Sequence, residues 1–260
     1  MPTCEVNKTK LYYEVKGSGK PIIFTHGHSM YHKQWDPQVE YFSKFYQTIT
    51  WDVRGHGYSS LPKGKIEPDD FSKDLVSLMD HLRIKSSYLC GLSMGGHISL
   101  QTAFKYPEIV DGLILIGTPY TNQFNLYERF TTLISKLSLR FMPLKLTGKI
   151  TANMLSKNNP DNQQFIVEAF NLMTHDNFLR HWSGNLQMDS HGHLHKIKCP
   201  TLILYGDQDN MVLRQQKSLA EQISYADVKV IRNAHHLTNR DNPKEVNEHI
   251  ENFLKQINDY

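Results

Sequence analysis

Ser87-Tyr88-Leu89-Cys90-Gly91-Leu92-Ser93-Met94-Gly95-Gly96-His97 begins as a short apolar run and ends in small residues that open a second apolar stretch. The first part reads as a buried strand ending at Cys90, and the second as a helix over Met94–Lys105 closed by Pro107. Between them, Gly91-Leu92-Ser93-Met94-Gly95 is a G-x-S-x-G element. Three fixed positions are a weak signal alone, and a Gly-rich turn without chemistry is the bland alternative. Context strengthens the signal, because a serine on a sharp strand-to-helix turn is held in a strained backbone conformation with its hydroxyl presented. The glycines let strand and helix approach closely. Ser93 is therefore the candidate nucleophile.

Working outward from this unit, strands and helices alternate. Leu11–Val15 and Pro21–Thr25 read as strands, the second apolar throughout, as in a strand buried on both faces. A helical segment around Tyr31–Lys44 precedes a strand at Gln47–Trp51. Phe71, Leu75, Leu78, Met79 and Leu82 recur at helical spacing behind Pro68-Asp69-Asp70. Leu113–Ile116 is a further strand. Such alternation predicts an α/β class chain with a mostly parallel sheet between helices.

Between Pro119 and Lys198 the alternation stops for a stretch too long to be an ordinary loop. Phe124, Tyr127, Phe130, Leu133, Ile134 and Leu137 keep helical spacing, so the segment is expected to be a helical insertion over the sheet. Strands resume at Pro200–Tyr205 and Val228–Ile231. A closing helix near Pro243 uses Val246, Ile250, Phe253 and Leu254.

Composition narrows the classes of function. A chain of 260 residues can bury a full core without staples. Hydrophobic residues are 39% and charged residues 21%, which argues against disorder. The net charge of +3 is small and spread out, with no basic block interleaved by aromatics, so nucleic-acid binding has no support. No apolar run is long enough to span a bilayer, so no membrane insertion is expected. The N-terminus lacks a signal-peptide pattern. Cys4, Cys90 and Cys199 are odd in number and widely spaced, as in a reduced cytoplasmic protein.

Gly91–Gly96, read with the strands and helices around it, resembles the α/β-hydrolase superfamily over nearly the whole chain. It is most similar to the enol-lactonase, carboxylesterase and cofactor-free haloperoxidase-like group. The resemblance implies the α/β-hydrolase fold: a central, mostly parallel sheet flanked by helices, with a helical cap inserted after the sixth core strand. Residues 1–118 and 199–260 would form the core domain, and residues 119–198 the cap.

Three further elements carry the resemblance in order. Phe24-Thr25-His26-Gly27-His28 is similar to the family's oxyanion loop, which implies His28 as one backbone N–H donor and Met94 as the other. His26 is expected to brace the loop, and the His28 side chain to line the pocket mouth. Asp52-Val53-Arg54-Gly55-His56-Gly57-Tyr58-Ser59 resembles a D-x-R-G-x-G-x-S turn, in which Asp52 and Arg54 are expected to form an internal ion pair or hydrogen-bonded turn. Gly206-Asp207-Gln208-Asp209 matches G-x-x-D and implies Asp209 as the triad acid, with Asp207 the rival serving the turn. His235-His236 before Pro243 matches G-H-x6-P and implies His236 as the base. His235 stands where a glycine is usual, which leaves it as the alternative base.

The resemblance implies a serine hydrolase that cleaves a carboxylic ester or lactone through Ser93, His236 and Asp209, with an acyl-enzyme and no cofactor or metal. One alternative is a C–C hydrolase or lyase of a ring-derived metabolite, akin to the menaquinone-pathway synthase. His97 stands where that synthase would carry Arg. Another is a ligand receptor retaining a slow triad. Ser93 excludes the dehalogenases and epoxide hydrolases of this fold, which use Asp there. His191-Gly192-His193-Leu194-His195 invites a metal reading, but no Cys or carboxylate joins it at ligand spacing, so a solvated hinge is expected. His236 and Asp241 also match an H-x4-D string, read as coincidence. In the insertion, Met154, Phe130, Phe141, Phe170, Phe178, Trp182 and their neighbours are expected to pack helices or roof a pocket. They favour an apolar small-molecule ester or lactone.

Overall fold

The computed structural model describes residues 2–122 and 124–258, with the side chains of Tyr127, Glu128, Thr131 and Lys136 outside the description. Strands β1 (Thr3–Val6) and β2 (Thr9–Lys16) form a hairpin. Then follow β3 (Pro21–Thr25), α1 (Asp36–Phe42), β4 (Gln47–Trp51), α2 (Pro68–His81), β5 (Ser87–Leu92), α3 (Met94–Lys105) and β6 (Val110–Ile116). Four helices come next: α4 (Leu126–Phe141), α5 (Leu144–Leu155), α6 (Asp161–Asn171) and α7 (His175–Asn185). The chain ends with β7 (Thr201–Gly206), α8 (Leu213–Gln222), β8 (Ala226–Ile231), the short α9 (Thr238–Asp241) and α10 (Pro243–Asn258).

The eight strands form one sheet in the order β1-β2-β4-β3-β5-β6-β7-β8. Pairing is antiparallel from β1 to β4 through β2 and parallel from β4 onward. The central strands are apolar because both faces are covered. On β5, Tyr88, Cys90 and Leu92 join the core on one face and Leu89 the core on the other. Ile114 and Ile116 of β6 likewise oppose Leu113 and Leu115. Each such side chain, fully withdrawn from water, contributes about 2 kcal/mol. On α10, Val246, Ile250, Phe253 and Leu254 are all buried, as their spacing predicts.

Register then places the candidate site. Thr25 pairs with Gly91, Leu92 with Ile116, and Gly206 with Ile231. The loops after β3, β5, β7 and β8 therefore leave the same edge of the sheet. The strand order reverses around β3, and ligands of open α/β sheets bind at the carboxyl ends beside such a point.

The structure departs from the sequence reading at three points. Strand β1 carries too little apolar alternation to be read from sequence, and exists because it pairs with β2. Of the two arrangements expected for Asp52 and Arg54, the hydrogen-bonded turn forms and the ion pair does not: Asp52 accepts from the His32 and Tyr58 backbone N–H groups, while Arg54 binds Asp70 and Asp74 on α2. Phe130, Leu133, Ile134, Leu137 and Phe141 of α4 neither pack nor roof a pocket but face solvent. Tyr127, named in the same sequence pattern, has its side chain outside the described residues.

Candidate active site

Ser93 closes β5 and precedes the first residue of α3, with φ +53° and ψ −115°, a conformation that L-residues rarely adopt. Its N–H donates to the Ile116 carbonyl at 2.9 Å, and its own carbonyl accepts from His97 N–H at 2.9 Å. Gly95 has no room for a side chain, since a Cβ there would collide with the Thr25 carbonyl. A Cβ on Gly91 would meet the backbone of Gly95. The two glycines let the turn fold tightly enough to hold Ser93 at the sheet edge.

His236 follows β8 on the loop into α9, and Asp209 follows β7. The Ser93 Oγ lies 2.8 Å from His236 Nε2, and the His236 Nδ1 lies 2.8 Å from Asp209 Oδ2. The second Asp209 oxygen accepts from Met211 N–H at 3.1 Å, and the carboxylate is 1% exposed. Burial pushes the His236 pKa down, but the charge and hydrogen bond of Asp209, with the charge of Asp241, outweigh it and leave it raised.

The two rivals have other partners. Asp207 accepts from Ala234 N–H at 3.1 Å, tying the β7 loop to the β8 loop. His235 turns its Nδ1 to the Gln208 carbonyl at 2.9 Å, and its N–H donates to Asp241 at 2.8 Å.

Upstream, His26 accepts at Nε2 from Val53 N–H at 3.0 Å and bonds the Gly27 carbonyl through Nδ1. His56 accepts from Ser29 N–H at 3.1 Å. Burial drives both imidazoles down to about 3, so they are neutral braces of the loop. The backbone N–H groups of His28 and Met94 have no acceptor among the described residues, the latter because it opens a helix. The buried His97 side chain bonds Ser190 Oγ at 2.9 Å and does not line the cavity beside Ser93. His193 stacks on Phe104, with ring centroids 5.1 Å apart.

Ser93 and His236 open into a cavity of about 340 Å³. Its walls come from the β3, β5, β6 and β7 loops and from α4–α7, including Thr132, Leu139, Met154, Phe170, Phe178 and Trp182. Among the described residues, none that line it is Lys, Arg, Asp or Glu. His28 Nε2 and Trp182 Nε1 are buried without a hydrogen-bond partner, and both side chains line the cavity, their rings 5.0 Å apart. Met154, Phe170, Phe178 and Trp182 line the cavity as expected of some insertion residues, whereas no local pattern marks Gln215, which arrives there from a distant segment.

The family model described as serine aminopeptidase, S33 matches residues 18–242. An (E)-2-((N-methylformamido)methylene)succinate hydrolase of Acinetobacter baylyi is 25% identical over 96% of this chain and 95% of its own. The 3-oxoadipate enol-lactonase 2 of the same organism is 24% identical over 91% and 89%. In structure, an enol-lactonase of Burkholderia xenovorans superposes with a TM-score of 0.88 over 98% of this chain and 100% of its own, at 22% identity, and so shares the fold. The chain thus belongs to the serine aminopeptidase S33 family and is a hydrolase of the α/β-hydrolase fold.

Proposed function

We propose that Ser93, His236 and Asp209 act as a catalytic triad and that the enzyme hydrolyses a carboxylic ester or lactone through an acyl-enzyme. The observation that carries this reading is the continuous relay from Ser93 Oγ through His236 to Asp209, each step 2.8 Å. His236 takes the proton of Ser93 as its oxygen attacks the acyl carbon, then gives that proton to the departing alkoxide. Asp209 holds the ring with Nε2 toward the serine and stabilises the imidazolium. Water, deprotonated by His236, adds to the acyl-enzyme, and Ser93 leaves with the proton returned.

The N–H groups of His28 and Met94 receive the oxyanion. Their lack of an acceptor supports this role, as does the position of Met94 at the positive end of α3. Loss of one such donor costs about 3 kcal/mol of transition-state stabilisation. Residues 119–198 serve as the cap, with residues 1–118 and 199–260 as core; the contribution of α4–α7 to the cavity wall supports this division. The substrate is a small, largely apolar ester or lactone, whose oxygens can satisfy His28 Nε2 and Trp182 Nε1. That a relative is named an enol-lactonase supports the ester or lactone assignment. Three unpaired cysteines favour a cytoplasmic setting.

Labelling with a fluorophosphonate, followed by peptide mapping, tests the nucleophile. The label is expected on Ser93, and Ser93→Ala is expected to lose both label and turnover on a panel of esters and lactones. Label on another residue, or full activity in Ser93→Ala, overturns the reading.

A further inference from the structure

Helix α4 exposes Leu126, Phe130, Leu133, Ile134, Leu137 and Phe141, between 48% and 81% accessible. Their spacing of four, three, one, three and four residues lines them on a single stripe of a 3.6-residue helix. Helix α5 continues with Leu146, Ile150 and Met154, all at least 45% accessible. A water-soluble surface seldom leaves so many large apolar side chains together without an occupant.

Charge names the occupant. Residues 126–157 hold six Lys and Arg against the single acidic residue Glu128, a net +5 within a chain of net +3, so the remainder is net negative. These charges are also placed with a rule. Arg129 directly precedes Phe130, Arg140 precedes Phe141, Lys145 precedes Leu146 and Lys149 precedes Ile150; Lys136-Leu137 repeats the pair in sequence. On a helix each such cation sits about 100° to the same side of the apolar residue it precedes. Arg129, Arg140, Lys145 and Lys149 are exposed, and none pairs with a carboxylate among the described residues. An apolar stripe with a cationic shoulder matches the boundary between acyl chains and anionic headgroups.

We propose that α4 and α5 dock this protein peripherally on an anionic lipid surface. No helix among the described residues is long and apolar enough to cross a membrane, so the contact lies in the plane of the interface. The same helices wall the cavity: Thr132 and Leu139 of α4 face it, roughly opposite the exposed stripe, and Met154 of α5 belongs to both surfaces. A lipid-dissolved ester would thereby reach the cavity at the helices that touch the bilayer. The docking itself does not depend on the chemistry proposed for Ser93.

Flotation of the full chain with vesicles tests the proposal, using phosphatidylcholine mixed with phosphatidylglycerol and phosphatidylcholine alone. Binding is expected on the mixed vesicles, weakened by high salt, and at least about tenfold tighter than on phosphatidylcholine alone. Phe130→Ser with Phe141→Ser, and separately Arg129→Glu with Arg140→Glu, are expected to reduce it by about tenfold or more while circular dichroism and melting stay native. Neither pair lines the cavity. Ser93→Ala is expected to bind vesicles like the parent, which separates this proposal from that of the triad. Absence of vesicle binding, equal binding to both compositions, or a dimer in solution that the serine variants dissociate without any vesicle binding would overturn it.

Discussion

His235 and His236 are adjacent in the chain yet hold different partners: His235 Nδ1 meets the Gln208 carbonyl at 2.9 Å, whereas His236 Nε2 meets Ser93 Oγ at 2.8 Å. One braces the loop that the other uses. His236→Ala is expected to lower kcat/KM for a soluble ester by at least about 10³-fold, since general-base assistance and the proton shuttle are both lost. His235→Ala should keep activity within about tenfold and lose mainly stability, as one side-chain hydrogen bond is worth about 1 kcal/mol. Steady-state kinetics on the two variants decides the matter, and wild-type activity in His236→Ala would remove it from the triad.

The pH dependence follows from the direction of the His236 shift. The base must be neutral to accept the serine proton, so kcat/KM rises with pH as the imidazolium loses its proton. Because its pKa is raised by Asp209, the midpoint should lie above the ordinary imidazole value of 6.5. Asp209→Asn removes the charge responsible. It should move the midpoint down while lowering kcat by about 10³- to 10⁴-fold. A pH profile whose midpoint is unmoved in Asp209→Asn would detach the titration from this pair.

Ser93 carries a cost of position. Its φ of +53° lies where a Cβ is disfavoured, at about 1–3 kcal/mol, and a glycine relieves that strain. Ser93→Gly is expected to abolish turnover and still raise the melting temperature by about 2–4 °C. Ser93→Ala, which keeps the Cβ, should abolish turnover with little such gain. Calorimetry of the two variants compares them directly, and equal melting temperatures would mean the turn stores no strain.

Much of this is legible in the sequence, for a local reason. A strand, a turn and a helix leave contiguous signatures, so the unit from Ser87 to Lys105 can be read in one pass, and Ser93 stands out at its turn. Asp209 and His236 are legible as candidates because the resemblance to the α/β-hydrolase superfamily matches a short motif after each of two strands. Long-range partners are not. Arg54 binds Asp70 and Asp74 rather than Asp52, a choice made by how α2 packs and not by spacing along the chain. The stripe on α4 has the periodicity of a packed helix, and periodicity alone cannot tell a face buried in protein from one left open. The rings of Trp182 and His28 lie 5.0 Å apart only because α7 folds back over the loop after β3.

The cavity wall sets the last expectation. Two relatives are named for a succinate derivative and for an enol-lactone of 3-oxoadipate. Here no Lys or Arg among the described residues lines the cavity, whose polar side chains are hydroxyls, amides and the rings of His28, Trp182 and His236, the last already engaged by Asp209. A carboxylate entering it would lose water and gain no cation, at a cost of several kcal/mol. Uncharged hexanoate esters should therefore exceed the hemisuccinate ester of the same alcohol in kcat/KM by at least about 100-fold. Placing a cation in the wall, as Asn185→Arg, should narrow that gap through the hemisuccinate's KM. Comparable kcat/KM values for the two esters in the parent enzyme would show that the acid group stays outside the cavity, and the wall would then not be what selects the substrate.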